Sequence, residues 1–203
     1  MSLKFPISLV AKRASSGGDI PLATSLYDSG DNLLVSIETD IPDNWNDNNT
    51  PYNAARLEIG TSCTSIGDYS FYFCTNLFGT LTIPNSVKTI GDWAFNSCIG
   101  LFGTLTVPDS VTSIGSTAFG YNGLNTLVIG SGVTSIGSDA FYGNYSITAV
   151  YTNCPASSFT GTNAFFLTNF TTIYTGPNAT GYTSSFQGRT GLTIANWDNY
   201  PNI

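Results

Sequence analysis

Histidine is absent from the 203 residues, and the four cysteines, Cys63, Cys74, Cys98 and Cys154, form no Cys-x-x-Cys pair. Without an imidazole, neither a Ser-His-Asp nor a Cys-His catalytic arrangement is possible. A transition-metal site and a thiol redox motif also lack their usual ligands. The sequence therefore predicts a protein that is not an enzyme, with no catalytic residue, no metal site and no cofactor.

Charged residues are scarce, at 9% of the chain, and the net charge of -7 comes with a sequence pI of about 4.1. Because this charge repels a phosphate backbone, we predict no nucleic-acid partner. No run approaches the roughly 20 apolar residues of a membrane helix, so we predict no membrane insertion. The apolar run from Phe5 to Ala11 precedes Lys12 and Arg13, the reverse of the order in a secretory signal peptide, and none is predicted.

Three acidic residues, Asp40, Asp43 and Asp47, lie close together in the segment DIPDNWNDNN. A solvated turn is the favoured interpretation, because Asp and Asn are common in loops. A calcium site and a pair of catalytic carboxylates remain as alternatives, although the spacing does not match an EF-hand loop.

A repeat organises the rest of the chain. Its clearest mark is an Ile-Gly pair that recurs at spacings of 24, 24 and 22 residues, at Ile66-Gly67, Ile90-Gly91, Ile114-Gly115 and Ile136-Gly137. A phenylalanine stands five residues after each isoleucine, and one more continues the series: Phe71, Phe95, Phe119, Phe141 and Phe165. A fixed period of this length predicts a solenoid, in which equivalent residues of successive coils lie over one another.

A strand signature recurs with the same period, as two apolar residues around a variable centre. Its copies are Leu57-Glu58-Ile59, Leu81-Thr82-Ile83, Leu105-Thr106-Val107, Leu127-Val128-Ile129, Val150-Tyr151-Thr152, Ile173-Tyr174-Thr175 and Leu192-Thr193-Ile194. Since side chains alternate across a strand, the flanking residues should point into the core and the central ones outward. The phenylalanines should stack into a ladder, and the glycines should allow a positive φ or a close approach between coils.

Two phrases carry a family resemblance: LTIPNSVKTIGDWAFNSCIGL at 81–101 and LTVPDSVTSIGSTAFGYNGL at 105–124. They resemble the BspA-type leucine-rich repeat, and the likeness covers about residues 54–195, with the segment at 172–182 resembling a degenerate closing coil. The resemblance implies a leucine-rich-repeat solenoid of about six to seven coils. Short parallel β-strands would form its concave face, and turns with short 3-10 or irregular segments its convex side.

The cysteines fit into this repeat. Cys74 and Cys98 share a column with Asn122, Asn144 and Thr168, where each side chain can satisfy backbone groups inside a turn. Free buried thiols are favoured there over a disulfide between Cys74 and Cys98. Cys63 occupies the column of Val87, Val111 and Val133 and is predicted to act as a small apolar residue.

The predicted binding site is the concave strand face. Its outward residues form two columns, one with Glu58, Thr82, Thr106, Val128, Tyr151, Tyr174 and Thr193, and one with Arg56, Thr80, Thr104, Thr126, Ala149 and Thr172. Threonine there is also explained by β propensity alone, but Tyr151 and Tyr174 are predicted to be exposed and to form an amphipathic patch for a protein or glycan. Ordering of ice by the threonines is a weaker alternative, because Val128 and Tyr151 interrupt the array.

Residues 1–53 do not fit the repeat and are expected to form a small β-rich cap or attachment segment, with strands over Leu3–Val10 and Leu33–Ile37; residues 196–203 are a tail. The family resemblance implies an adhesion or surface-recognition role on a cell surface or in an extracellular setting. The alternative is a virion or phage surface or fibre component that docks by residues 1–53, as a homo-oligomer or in a larger assembly, and displays the solenoid for host recognition.

Overall fold

The computed structural model of the chain describes residues 24–27, 33–37, 40–41, 55–187 and 189–197, and within them it is a parallel β-solenoid of about six turns. The predicted strand over Leu3–Val10 lies outside these residues. None of the helical segments in the described ranges is long and apolar enough to cross a membrane.

The solenoid contains two parallel sheets. The strands of the larger sheet are Phe102–Val107 (β6), Gly123–Ile129 (β8), Ala149–Thr152 (β10), Thr172–Thr175 (β11) and Thr193–Asn196 (β12). They lie in the order β12-β11-β10-β8-β6. These are strands of the predicted repeat, and an isolated bridge between Thr82 and Thr106 extends the pairing towards the preceding coil.

The second sheet was not predicted. Its four two-residue strands are Ser65–Ile66 (β4), Thr89–Ile90 (β5), Ser113–Ile114 (β7) and Ser135–Ile136 (β9), in the order β4-β5-β7-β9. The isoleucines are buried in the core. Two residues are too few to show the alternation that marks a strand in sequence. The sequence therefore indicated the column of isoleucines but not the backbone hydrogen bonds that join the short strands.

A three-stranded antiparallel sheet lies at the N-terminal end of the solenoid. β1 (Thr24–Tyr27) pairs with β2 (Leu33–Ile37) on one edge and with β3 (Arg56–Glu58) on the other. The predicted strand at Leu33–Ile37 is confirmed. Ile41, however, is 1% exposed and bridges in parallel to Ile66, so the expectation that nothing before residue 53 fits the repeat is wrong at this position.

The phenylalanine ladder is confirmed. Successive ring centroids are 4.9, 5.4, 5.7 and 5.6 Å apart from Phe71 to Phe165, and the ring planes lie within 12° of each other. All five rings are buried among the strand residues and the alanines Ala94, Ala118, Ala140 and Ala164. The ladder therefore runs through the core as one continuous stack.

The glycines of the Ile-Gly pairs act by close approach, not by positive φ. A Cβ on Gly91 would lie 2.6 Å from the backbone nitrogen of Asp68, and one on Gly115 would lie 2.5 Å from that of Asp92. Neither glycine is among the residues with positive φ. The coils are in contact here, backbone to backbone, and only glycine leaves the room.

The shared column of cysteine and asparagine satisfies backbone carbonyls of the preceding coil. The Cys98 thiol donates to the Phe71 carbonyl at 3.0 Å, and the amides of Asn122 and Asn144 donate to the carbonyls of Phe95 and Phe119 at 3.0 and 2.7 Å. All four cysteines are free. Burial raises the pKa of the Cys98 thiol well above its usual value, and the neighbouring Cys74 adds to the shift, so the thiol stays protonated as a donor near neutral pH.

The ladder predicts a large loss of stability on truncation. Phe119→Ala removes a buried ring that is stacked on both sides, and we expect it to lower the free energy of unfolding by about 3 to 5 kcal/mol. Phe78→Ala, at a ring that is 70% exposed, is the control and should cost less than about 1 kcal/mol. Urea unfolding of the three proteins measures both values, and equal losses at the two positions would contradict the ladder.

Candidate functional site

The outer face of the five-stranded sheet, here called the strand face, brings most of the predicted residues together. Burial alternates along β6, where Leu105 and Val107 are fully buried and Thr106 between them is exposed. The register then aligns Thr106 with Val128, Val128 with Tyr151, and Tyr151 with Tyr174. The central column is therefore confirmed from Thr82 to Tyr174.

The neighbouring column is also continuous. Thr104 aligns with Thr126 and Thr126 with Ala149, while Thr80 is exposed on the preceding coil. Thr193 aligns with Thr172, whereas the prediction placed it beside Tyr174. The predicted register of the last strand is therefore wrong by two residues. Ala195 takes the place next to Tyr174, because the chain between these strands does not keep the period of the earlier coils.

The expectation that Tyr151 is exposed is wrong. Its exposed fraction is 7%, because its ring stacks on Tyr174 with the centroids 4.5 Å apart and meets the edge of Trp197 at 5.9 Å. Val128 beside it is 8% exposed. Tyr174 is half-buried, so it is Tyr174 and Trp197 that present the surface of this aromatic cluster.

Trp197 is absent from the predicted site because it follows the last repeat and lies in the predicted tail. Its ring reaches back over two strands, and its Cε3 atom lies 3.1 Å from where a Cβ on Gly176 would be. A glycine at 176 therefore leaves the space that this ring occupies.

Arg56 and Glu58 form an ion pair with each other, and their side chains are 42% and 32% exposed. They lie on β3 in the antiparallel sheet, outside the five strands of the strand face. The outward residues from Thr82 to Tyr174 are all uncharged. The strand face is thus neutral, with threonine hydroxyls at one end and aromatic rings at the other.

Asp40 has a structural partner at the start of the solenoid. Its carboxylate accepts hydrogen bonds from the Ser65 backbone N–H at 2.9 Å and the Thr64 hydroxyl at 2.9 Å. Slight burial raises the pKa of Asp40, but these hydrogen bonds outweigh it and hold the pKa below its usual value. Asp43 and Asp47 lie outside the described residues, and the described residues contain no group of three metal-binding side chains.

Comparison with known proteins agrees with this geometry. Residues 48–171 match the family described as BspA type leucine rich repeat region, in six copies. A leucine-rich repeat protein from Bacteroides ovatus is similar in structure, with a TM-score of 0.52 and 23% identity over 71% of this chain. The match covers 38% of the length of that protein. No curated protein matches the chain.

The two tyrosines should differ in their effect on stability. We expect Tyr151→Ala to lower the free energy of unfolding by about 3 kcal/mol, because it removes a buried ring. Tyr174→Ala should cost about 1 kcal/mol, the value of one aromatic contact. Thermal and urea unfolding compare the variants, and a larger loss at Tyr174 than at Tyr151 would contradict the burial described above.

Proposed function

Because the chain belongs to the BspA-type leucine-rich repeat family, we propose that it is a non-enzymatic adhesion module that recognises a protein or glycan on a surface through its strand face. The leucine-rich repeat is in general a binding scaffold, and the family suggests protein interaction or adhesion. The residues of the strand face support the choice of this face and of the class of partner.

One observation carries the proposal: Tyr174 is stacked on Tyr151, and Trp197 meets the same Tyr151 ring edge-on, in a neutral face. Aromatic rings that are already packed lose little conformational freedom when a partner covers them. Their flat surfaces are apolar, and the phenol and indole groups can form hydrogen bonds. The cluster therefore has the properties of a binding hot spot.

The threonines extend this surface away from the rings. Thr82 and Thr106 are exposed, and Thr104 and Thr126 are half-buried in the adjacent column. Their hydroxyls lie at the spacing of parallel strands, about 4.8 Å, and offer donors and acceptors without charge. This combination suits a neutral polar partner, either a glycan or the uncharged surface of a protein.

A second candidate function is display on a larger assembly, such as a virion, for host recognition. It is favoured by the sheet order β2-β1-β3, which leaves β2 at an edge of the N-terminal sheet among the strands that the structure describes. An edge strand can pair with a strand of another chain. In this alternative, residues 1–53 dock the protein and the strand face remains the recognition surface.

The strand face is tested by substitution and capture. Tyr174→Ala should weaken binding to hits from a glycan and protein array by about tenfold, since hot-spot truncations cost 1 kcal/mol or more. Tyr145→Ala, at a tyrosine that is 55% exposed and lies outside the sheets, is the matched control. Equal binding by wild type and Tyr174→Ala would remove the strand face as the site.

Light scattering of the intact chain separates the two candidates. A free adhesion module should have the mass of one chain, 21.5 kDa. A stable ring or trimer, in contrast, would favour display on an assembly.

A further inference from the structure

A groove of about 530 Å³ runs along the outer face of the second sheet, away from the strand face. Four successive coils build it. Each of the first three contributes four residues, from the outward serine or threonine of the short strand to the residue after the glycine, and the fourth contributes two. Its lining is Ser65–Asp68, Thr89–Asp92, Ser113–Ser116, Ser135 and Gly137. We call it the second-sheet groove.

The floor of the groove is backbone. The isoleucine side chains point into the core, and the glycines carry no side chain, so nothing rises between the two walls. The N–H groups of Gly91 and Gly115 already donate to the carbonyls of Ile66 and Ile90, each at 2.8 Å. Because these backbone groups are paired, recognition of a ligand falls to the side chains of the walls.

One wall is a row of hydroxyls. Thr89 and Ser113 point outward from adjacent strands in direct register. Neither hydroxyl has a hydrogen-bond partner within the part of the chain that the structure describes, whereas Ser135, one strand further on, lies 3.1 Å from the Thr160 hydroxyl. The two hydroxyls, each able to donate and to accept a hydrogen bond, are thus presented to solvent about one strand spacing apart.

The opposite wall carries Asp92 and Ser116. One oxygen of the Asp92 carboxylate accepts the Ser116 backbone N–H at 2.6 Å, which fixes the orientation of the carboxylate. The Ser116 hydroxyl, like those of Thr89 and Ser113, makes no hydrogen bond among the described residues. Both walls of the groove therefore offer hydroxyls to a ligand, and one wall also offers carboxylate acceptors.

This lining selects a class of ligand. Since it contains carboxylates and no basic residue, it repels phosphates and other anions. The apolar side chains of its isoleucines are turned into the core, so it offers no surface to an apolar ligand. An uncharged molecule rich in hydroxyls fits best, because it can donate to the carboxylates and exchange hydrogen bonds with the serines and threonine.

We propose that the second-sheet groove binds a linear neutral oligosaccharide, as a site separate from the strand face. The same set of wall residues repeats from coil to coil, so a chain of similar sugar units lying along the solenoid axis meets similar contacts at each step. An extended peptide fits less well, because its backbone needs unpaired backbone partners and the floor has none to offer.

The test uses NMR titration of the intact, isotopically labelled chain with neutral hexasaccharides of glucose, mannose and N-acetylglucosamine. We expect at least one of them to shift the amide signals of residues 65–68, 89–92 and 113–116. The double variant Thr89→Val with Ser113→Ala keeps the shape of the groove and removes two hydroxyls. It should bind about tenfold more weakly, because two hydrogen bonds to the ligand are lost.

Two controls address the strand face. Thr82→Val is the matched threonine substitution there, and Tyr174→Ala removes its half-buried tyrosine; in both variants the hexasaccharide should shift the amide signals of the groove residues 65–68, 89–92 and 113–116 as in the wild type. If the amide shifts appear on the strand face and these two variants lose binding, the groove proposal is overturned and the strand face is supported. Absence of shifts in the groove with all hexasaccharides, or a titration there by a neutral peptide alone, would also overturn it.

Discussion

Each coil of this protein depends on the coil that follows or precedes it, because its polar and apolar groups find their partners about one repeat away. The Asp68 carboxylate accepts the backbone N–H of Asp92, and the Asn144 amide donates to the carbonyl of Phe119. The phenylalanine rings stack in the same manner. A single coil cannot bury its own core or pair its own backbone, so stability arises only when neighbouring coils keep a common register.

This dependence divides the residues into two groups. Positions that face the next coil are restricted, as the glycines at 91 and 115 show, since any larger residue would collide with the backbone of the neighbouring coil. Positions on the outer face of a sheet are free to differ between coils, as in the column that passes from Thr106 through Val128 to Tyr151. Any specificity for a partner must therefore be encoded in positions that face solvent, among them the outward columns of the two sheets.

The same division explains what the sequence could predict. The ladder from Phe71 to Phe165 and the strand columns follow from contacts between equivalent residues, and periodicity alone reveals them. Tyr151 was wrongly predicted as exposed because its burial depends on Trp197, a residue outside the repeat. Thr193 was misplaced where the period changes, and Ile41 was missed because it stands before the first complete repeat. These three predictions failed where a contact joins residues that are not equivalent, whereas the second sheet was missed because its strands of two residues are too short to show alternation.

The convex turns show why the end of the array needs its own solution. In each turn two residues adopt positive φ, such as Tyr69 and Phe73 at 56° and 60°, at a cost of about 1 kcal/mol or more for a residue other than glycine. Their N–H groups donate to the backbone carbonyls of Asp92 and Asn96 in the following coil at 2.8 Å each, which offsets this strain. The last turn, around Phe165, has no equivalent coil after it within the described residues. There the Gln187 side chain accepts the Ala164 N–H at 3.1 Å and donates to the Gly161 carbonyl at 3.1 Å, so a side chain is bound at the end of the array where the earlier turns meet the next coil.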